Sequence, residues 1–545
     1  MFDYIIVGAG SAGCVMANRL SENLEKRVCL VEAGPPDKSP LIHIPLGLAL
    51  LAHSRGINWR YATAPEPQLN NRSLYWPRGK TLGGSSSINA MIYMRGHPAD
   101  YEGWAQAAGP QWGWERAREL FLAMEGNTAR ADSHHGTKGP LTVSDLVHVN
   151  PLSRAFVQAG GECQFPANED FNGERQDGVG IYQVTQKDGA RFSAARAFLE
   201  PVLGRANLTV ETGAAVERVL FENRRATGLR LRGRDILLRP GGEVIVCGGA
   251  VNSPQLLMLS GIGPGEELSR FGIEVVHNAR EVGANLADHL DITVLAATRG
   301  RDAIGMAPGL LPRLVRSGFA YAKHRQGELT SNVAEAGGFV KSDPARERPN
   351  LQFHFIPALM CDHGRKTTFG YGVTLHVCDL LPKSRGRISL ASRDASAPPK
   401  IEANYLSHPD DIGVLLDGLK IARRVLEAPA MKKHIKAELL PGPNARSDDA
   451  LIADIRARAE TIYHPVGSCR MGRDAASVVD PEARVRGVEG LRVVDASIMP
   501  SIIAGNTNAP VMMIAENVSR MMAGEVRESA GADSRGESAR SGPRF

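Results

Sequence analysis

The alternation of apolar and polar positions predicts a strand, a helix and a second strand at the start of the chain. Residues 3–7 and 27–31 are short apolar runs typical of buried strands, and residues 14–20 mix apolar and polar positions as a helix does. Two parallel strands joined by a helix make one βαβ unit. The chain is therefore predicted to begin with an α/β domain.

The turn between the first strand and the helix carries the pattern G-x-G-x-x-G, formed by Gly8, Gly10 and Gly13. The first glycine allows the tight turn, the second lets the backbone approach a pyrophosphate, and the third lets helix and strand pack closely. The second strand ends at Glu32, an acid that can accept hydrogen bonds from a ribose diol. This spacing predicts a Rossmann-type dinucleotide site, with the phosphates at the helix N-terminus.

A second glycine-rich stretch covers residues 76–90 and includes Thr81, Gly83, Gly84 and Asn89. Glycines and small hydroxyl residues let the backbone come close to a ligand and supply N–H and O–H donors. An apolar run follows at once, which favours a buried loop over a solvated one. The stretch is predicted to bind a phosphate group or a flat ring.

Composition and charge exclude several classes of protein. A net charge of +5 over 545 residues leaves no basic footprint for nucleic acid. The seven cysteines include no C-x-x-C pair, which argues against a disulfide framework and a metal site and indicates a reducing compartment. The first strand starts too early for a secretory signal, and no run of eighteen apolar residues is present, so a cytoplasmic location is predicted.

Several further stretches, in a fixed order, resemble the signatures of one family. They are residues 78–96, 249–263, 464–472, 493–497 and 505–510. By these motifs the chain resembles the glucose-methanol-choline (GMC) oxidoreductases, which are FAD enzymes. Within the family, residues 330–339 and 381–387 are most similar to membrane-associated alcohol dehydrogenases of alkane-degrading bacteria, and choline dehydrogenases come next.

The resemblance implies an α/β fold in which a Rossmann-type FAD-binding domain is interleaved with a substrate domain, an α+β part made of a sheet backed by helices. The FAD-binding domain is expected to take residues 1–150, 195–297 and 462–525, and the substrate domain residues 151–194 and 298–461. Residues 526–545 are rich in Ser, Gly, Arg and Glu and are predicted to be disordered.

The resemblance also implies which residues carry the chemistry. His464 lies at the family's catalytic histidine, and histidine suits a base because its pKa lies near neutrality. Asn508 lies where the family has its partner residue and is expected to hold the substrate oxygen. The FAD contacts implied are Gly8, Gly10, Gly13, Glu32, Thr81, Gly83, Gly84, Asn89, Val216, Asp495, Ala496 and Ala509.

FAD is expected to bind without a covalent bond. Choline oxidases of this family attach FAD through a histidine just before the equivalent of Asn89. This chain has Ile88 at that position, and an isoleucine side chain carries no nucleophile.

The function implied is oxidation of primary aliphatic, medium-chain alcohols to aldehydes, with electrons passing to a quinone-type acceptor. Choline dehydrogenase activity is the alternative, and a hydroxynitrile lyase-like protein that binds FAD without net redox chemistry is a remote one. Glu335 is a candidate to hold a substrate cation, although the alcohol dehydrogenase relatives also carry it. His354 is a second pocket candidate and fits an outward-facing strand residue equally well.

Apolar residues at helical spacing over positions 311–322 predict a helix flanked by the basic residues Arg313, Arg316, Lys323 and Arg325. Such a helix can lie on an anionic membrane surface. By the pattern alone, an ordinary helix of the substrate domain with solvated charges is favoured. The resemblance to relatives that deliver electrons to membrane quinones favours peripheral contact with the cytoplasmic face of the inner membrane.

Overall fold

The computed structural model describes residues 1–51, 53–307, 310–366 and 368–524. Two seven-stranded sheets form the centre of the structure, and helices pack against both. The segment predicted to be disordered, residues 526–545, lies outside the described residues.

The first sheet contains the predicted βαβ unit. Strand Phe2–Val7 pairs in parallel with Val28–Val31, and helix Ser11–Leu20 connects them, which confirms the prediction from the apolar pattern. In spatial order the sheet consists of Leu208–Glu211, Val28–Val31, Phe2–Val7, Arg234–Val246, Arg225–Leu231 and Val216–Glu222, with Leu491–Val493 also pairing with Arg234–Val246.

The second sheet is antiparallel. Helices Pro151–Glu162 and Pro409–Glu427 pack against it. In spatial order its strands are Ile435–Leu440, Leu290–Thr298, Gly372–Asp379, Leu351–Ile356, Ala336–Val340 and Gly178–Ile181, with Glu460–Thr461 also pairing with Leu290–Thr298.

The two sheets draw their strands from alternating parts of the chain. First-sheet strands come from residues 2–246 and 491–493, and second-sheet strands from residues 178–181 and 290–461. The predicted α/β class with a sheet-plus-helices second part is confirmed. Strand Leu290–Thr298 pairs with second-sheet strands, so the later part of the second sheet starts at Leu290, before the boundary expected after residue 297. An apolar strand pattern does not reveal which of two sheets the strand joins.

The remaining helices cover the two sheets and close the fold. Helix Asn508–Ala523 packs against Ser11–Leu20, which brings the C-terminal motifs back to the glycine turn. Within the described ranges no helix has the length and apolar character needed to cross a bilayer. The other helices of more than one turn are Pro98–Ala108, Trp114–Met124, Gly249–Leu259, Gly265–Arg270, Leu310–His324 and Asp448–Arg458.

Candidate active site

A cavity of about 480 Å³ lies between the glycine turn and the second sheet. Residues of both sheets line it, so the site is shared by the two parts of the fold. Sequence-predicted residues on its wall are Gly8, Gly10, Glu32, Gly84, Asn89, Val216, His354, His464, Asp495, Ala496 and Asn508. Sequence-predicted residues away from its wall are Gly13, Thr81, Gly83, Glu335 and Ala509.

The glycine turn leaves room for a phosphate group. A Cβ on Gly13 would lie 1.9 Å from the carbonyl oxygen of Gly8, so only glycine lets the helix pack this closely on the strand. A Cβ on Gly84 would lie 2.7 Å from the Cα of Gly10, so the two glycine-rich loops touch. A Cβ on Gly10 would meet nothing within 4 Å, so the space in front of the turn is open. The turn therefore fits the phosphates of a dinucleotide.

Two buried carboxylates line the same part of the cavity. Glu32 accepts hydrogen bonds from the backbone N–H of Ala9, at 2.8 Å, and of Gly34, at 2.7 Å. Asp495 accepts one from the backbone N–H of Gly249 at 2.8 Å. Burial raises the pKa of both carboxyl groups. Each carboxylate has further lone pairs for ligand hydroxyls, so the acceptor set fits the ribose and ribityl groups of FAD.

Besides Gly13, three residues predicted to contact the cofactor lie behind the cavity wall. Thr81 donates its hydroxyl proton to the carbonyl oxygen of Pro35 at 2.7 Å, and the N–H of Gly83 donates to the carbonyl oxygen of Ala9 at 2.8 Å. Ala509 is buried in the first turn of the C-terminal helix. The donors of Thr81 and Gly83 are already bonded and support the loops, so contact of these two residues with the cofactor remains a prediction.

His464 lines the cavity and is held through its backbone. Its N–H donates to Asp288 Oδ1 at 2.7 Å. The hydroxyl groups of Thr461 and Tyr405 both donate to Asp288 Oδ2. Burial raises the pKa of Asp288 to about 6. These hydrogen bonds hold the backbone of His464 in place.

The imidazole of His464 is bonded to a second histidine, which sequence reasoning missed. The Nδ1 atoms of His289 and His464 are 3.0 Å apart, and His289 Nε2 is 3.2 Å from the carbonyl oxygen of Leu380. Burial lowers the pKa of His289 to about 4, so its ring is neutral. A carbonyl oxygen only accepts, so His289 carries its proton on Nε2 and accepts at Nδ1 from His464. His464 Nε2 is thereby left unprotonated.

Asn506, and not Asn508, contacts this imidazole. Asn506 Nδ2 lies 3.3 Å from His464 Nε2, and Asn506 Oδ1 accepts a hydrogen bond from Gln352 at 3.0 Å. Asn508 Oδ1 accepts a hydrogen bond from the hydroxyl of Ser11 at 2.7 Å. Both Asn508 and His464 line the cavity, so the predicted role of Asn508 in holding the substrate oxygen remains a prediction. Asn508 begins the C-terminal helix, so its side chain lies toward the glycine turn.

The surroundings keep the imidazole of His464 neutral. Its pKa is lowered well below the usual value, first by burial and then by His289, His354 and Arg78. A neutral imidazole with an unprotonated Nε2 is a base at neutral pH. The arrangement can therefore remove a proton from a ligand hydroxyl in the cavity.

The cavity wall on the His464 side is largely apolar, with His354, His376 and Asn506 as polar members. Among the described residues, the carboxylates on the cavity wall are Glu32 and Asp495, which lie with the glycine turn. Nowhere in the described residues is a group of His, Cys, Asp and Glu side chains arranged to hold a metal ion. This wall suits an aliphatic ligand. One apolar cluster supplies it, through Leu48, Ile92, Val333, Ala334, Ile356, Met360 and Ile462.

Glu335 is not a pocket residue, contrary to the prediction. It is 0% exposed, and its Oε2 accepts hydrogen bonds at 2.7 Å from both the N–H of Asn150 and the hydroxyl of Ser153. Its Oε1 accepts one from Ser331 Oγ at 2.6 Å. Two of these donors lie at the start of helix Pro151–Glu162, where a negative charge is stabilising. The carboxylate is therefore bonded within the protein and does not face a substrate.

His354 does lie on the cavity wall. It is 7% exposed and stands opposite His376 on the neighbouring strand of the second sheet. His376 also lines the cavity and pairs with the buried carboxylate of Asp291. The alternative of an outward-facing strand residue is therefore excluded for His354, and its contact with substrate remains a prediction.

Three residues of the cavity wall hold an unusual backbone conformation. Met91, Val333 and Tyr463 have φ angles of 60°, 71° and 71°. Residues other than glycine seldom adopt positive φ, and a β-branched valine least of all. Each such residue costs about 1–2 kcal/mol, and this kind of strain concentrates at functional sites. The surrounding fold therefore holds these three residues against their own preference.

Comparison with known proteins decides the family. Models of the two GMC oxidoreductase domains match residues 2–291 and residues 382–515. The chain belongs to the GMC oxidoreductase family. The family predicted from the sequence motifs is thereby confirmed, together with the prediction of an FAD-dependent oxidoreductase.

Individual GMC proteins are similar over almost the whole chain. The Alcohol dehydrogenase [acceptor] of Pseudomonas putida is 58% identical over 531 residues, which cover 96% of each chain. The mitochondrial choline dehydrogenase of Homo sapiens is 42% identical, over 96% of this chain and 90% of the relative. The crystal structure of pyridoxine 4-oxidase from Mesorbium loti is similar with a TM-score of 0.86 and 32% identity, over 96% of this chain and 99% of that one.

Proposed function

We propose that this GMC oxidoreductase oxidises primary aliphatic alcohols of medium chain length to aldehydes, with bound FAD as the oxidant. The observation that supports this best is the apolar wall beside His464, which holds no carboxylate among the described residues. Each methylene group that an alkyl chain buries there contributes about 0.8 kcal/mol. The similarity to an alcohol dehydrogenase supports the same substrate class.

The residues around His464 divide the work of alcohol oxidation. His464 Nε2 accepts the proton of the substrate hydroxyl, while His289 keeps the other ring nitrogen protonated. The amide group of Asn506, which contacts Nε2, donates to the substrate oxygen as it gains negative charge. Bound FAD supplies the acceptor for the hydride that leaves the alcohol carbon.

Choline oxidation is the second candidate, supported by 42% identity to a choline dehydrogenase. A quaternary ammonium group is bound by carboxylates and by aromatic faces. Glu335 is bonded to a helix start, and the described Phe, Tyr and Trp residues on the cavity wall are Trp59 and Tyr463. Lys80 lies 4.3 Å from the ring centre of Trp59, which puts a cation on that ring already. The pocket therefore favours an alkanol over choline.

Anaerobic reduction of the flavin tests the proposal. Purified protein is mixed with a series of primary alcohols and, separately, with choline, and the flavin absorbance is followed. We expect rapid bleaching by medium-chain alcohols and slow or no bleaching by choline. Bleaching by choline alone would transfer the assignment to choline oxidation. Bound flavin that no alcohol bleaches would contradict alcohol oxidation and favour a lyase without net redox chemistry.

We infer that FAD is held without a covalent bond. Ile88 lines the cavity beside Asn89 and carries no nucleophile for the flavin ring. Acid precipitation of the purified enzyme should therefore release the yellow colour into the supernatant, with one flavin recovered for each chain. Flavin that stays with the washed precipitate would contradict this prediction.

We also propose that the electrons pass to a quinone-type acceptor at a membrane surface. An ordinary surface helix buries its apolar face. Helix Leu310–His324 instead exposes apolar side chains. Two more exposed apolar residues, Met306 before the helix and Phe369, pair with each other in a β-bridge. The exposed fractions are 48% for Met306, 40% for Leu314, 52% for Val315, 75% for Phe319 and 78% for Phe369.

This apolar surface is bordered by positive charge. Arg316, Lys323 and Arg325 on and beside the helix are exposed, while Arg313 forms an ion pair with Glu328. Exposed apolar side chains beside cations suit a membrane rich in anionic lipid, because both attractions act together. We propose peripheral contact on the cytoplasmic face of the inner membrane, where a quinone is available.

The double variant Phe319→Ser/Phe369→Ser tests this surface. We expect it to sediment several-fold less with vesicles that contain anionic phospholipid, because its largest apolar side chains are lost. Leu24→Ser is the matched control, since Leu24 is 72% exposed elsewhere on the protein and should leave vesicle binding unchanged. A parent enzyme that fails to sediment with these vesicles, or a double variant that sediments as the parent does, would contradict the proposal.

A further inference from the structure

Arg191 is a buried cation without a counter-ion. It ends the short strand Ala190–Arg191, and its side chain is 0% exposed. Within the described residues it forms no ion pair, and burial without a compensating carboxylate lowers its pKa to about 9. Buried charges are ordinarily paired, because an unpaired charge loses its hydration without return. An anion would therefore stabilise the positive charge of Arg191, and the described residues supply none.

The guanidinium group of Arg191 is bonded to the second glycine-rich loop. Its Nη1 donates to the carbonyl oxygen of Ser86 at 3.0 Å and to Asn89 Oδ1 at 2.8 Å. Its Nε donates to the carbonyl oxygen of Ile42 at 2.8 Å. Its Nη2 is buried and has no hydrogen-bond partner among the described residues. All three bonded acceptors are neutral, so they orient the charge and do not cancel it.

Asn89 connects this charge to the cavity. It lines the cavity, and its Oδ1 accepts hydrogen bonds from Arg191 and from the N–H of Met91 at 3.0 Å. A cation bonded to the amide oxygen polarises the amide and strengthens its N–H groups as donors. The cavity wall at Asn89 is therefore electropositive even though Arg191 itself does not reach the cavity.

We propose that Arg191, acting through Asn89, raises the reduction potential of bound FAD. When hydride leaves the alcohol carbon and the hydroxyl proton goes to His464, one net negative charge is added at the flavin. A fixed positive charge near this point stabilises the reduced form relative to the oxidised form. Arg191 is thus a positioning and electrostatic residue, and its effect depends on FAD in the cavity but not on which alcohol is the substrate.

The test compares Arg191→Gln, which keeps hydrogen-bond donors but removes the charge, with Arg191→Lys, which keeps the charge. The midpoint potential of the bound flavin is measured against a reference dye, and sulfite affinity is measured as a second readout of how well the flavin accepts an anion. For Arg191→Gln we expect a tenfold smaller reduced-to-oxidised ratio, which is about 30 mV for a two-electron couple. Sulfite affinity should fall in parallel, and Arg191→Lys should stay within threefold of the parent.

Two results would overturn the proposal. One is an Arg191→Gln enzyme with bound FAD and the parent's potential, which would leave Arg191 a purely structural clamp. The other is an equal shift in the glutamine and lysine variants, which would exclude charge as the cause. If Arg191→Gln holds no FAD, Asn89→Ala decides, because it keeps the cation and removes the connection: lower sulfite affinity supports the proposal, and parental affinity overturns it. None of these measurements needs an alcohol, so they stand apart from the substrate assignment.

Discussion

The His464→Ala variant is expected to bind FAD as the parent does and to lose turnover by a factor of about 10²–10⁴. The unprotonated Nε2 of His464 is the group placed to take the hydroxyl proton, whereas most of the predicted FAD contacts lie with the two glycine-rich loops. Flavin content after purification and kcat with a medium-chain alcohol measure the two halves of the prediction.

The matched control is His434→Ala. His434 is away from the cavity wall and should leave kcat unchanged. Partial recovery of the His464→Ala enzyme by added imidazole would place the missing base at this position. Near-parental kcat in His464→Ala, with no added base, would refute the assignment.

The second large effect is expected at His289, where leucine should lower kcat by roughly 10²-fold, within the range of acid–base catalysis. Leucine offers no acceptor to His464 Nδ1, so the imidazole is free to carry its proton on Nε2 and is then no base. Asparagine has its amide oxygen close to the position of His289 Nδ1 and should restore most of the activity. The measurement is kcat for both variants, with flavin content checked first.

The pH profile of the parent gives a second check on the role of His464 as the base. The pKa of His464 is lowered by burial and then by its neighbours, and His289 is the first of these. The basic form is the active one, so kcat/KM should fall only at pH values well below 6.5 in the parent. Equal loss of activity in His289→Leu and His289→Asn would argue against control of the tautomer.

The cofactor half of the protein was predictable because its signals are local. Strand Phe2–Val7, helix Ser11–Leu20 and the turn at Gly8 lie within one short segment, and each is determined by its own residues. Where two backbone segments approach as closely as they do at Gly13 and Gly8, only glycine fits, so the sequence itself marks the position. Such requirements are visible without knowledge of the rest of the fold.

The substrate half was not predictable to the same degree, because its contacts are long-range. His289 is one of fifteen histidines, and nothing beside it in the chain indicates that it meets His464. Asn506 and Asn508 differ by only two positions, and the start of a helix decides which of them reaches the imidazole. Glu335 has the charge to hold a cation, but a helix start from a distant part of the chain takes up its oxygens.

The positive φ angles at Met91, Val333 and Tyr463 bear on how this enzyme would respond to laboratory evolution. Glycine at any of the three would relieve about 1 kcal/mol of strain, but it would also remove a buried or half-buried side chain, which costs about 2–5 kcal/mol for a large core residue. Val333 and Tyr463 form part of the cavity wall, and Tyr463 directly precedes His464, so the same exchanges would loosen the site that binds the alcohol. Glycine at these positions should therefore lower both thermostability and turnover, and improved variants should carry their stabilising changes elsewhere.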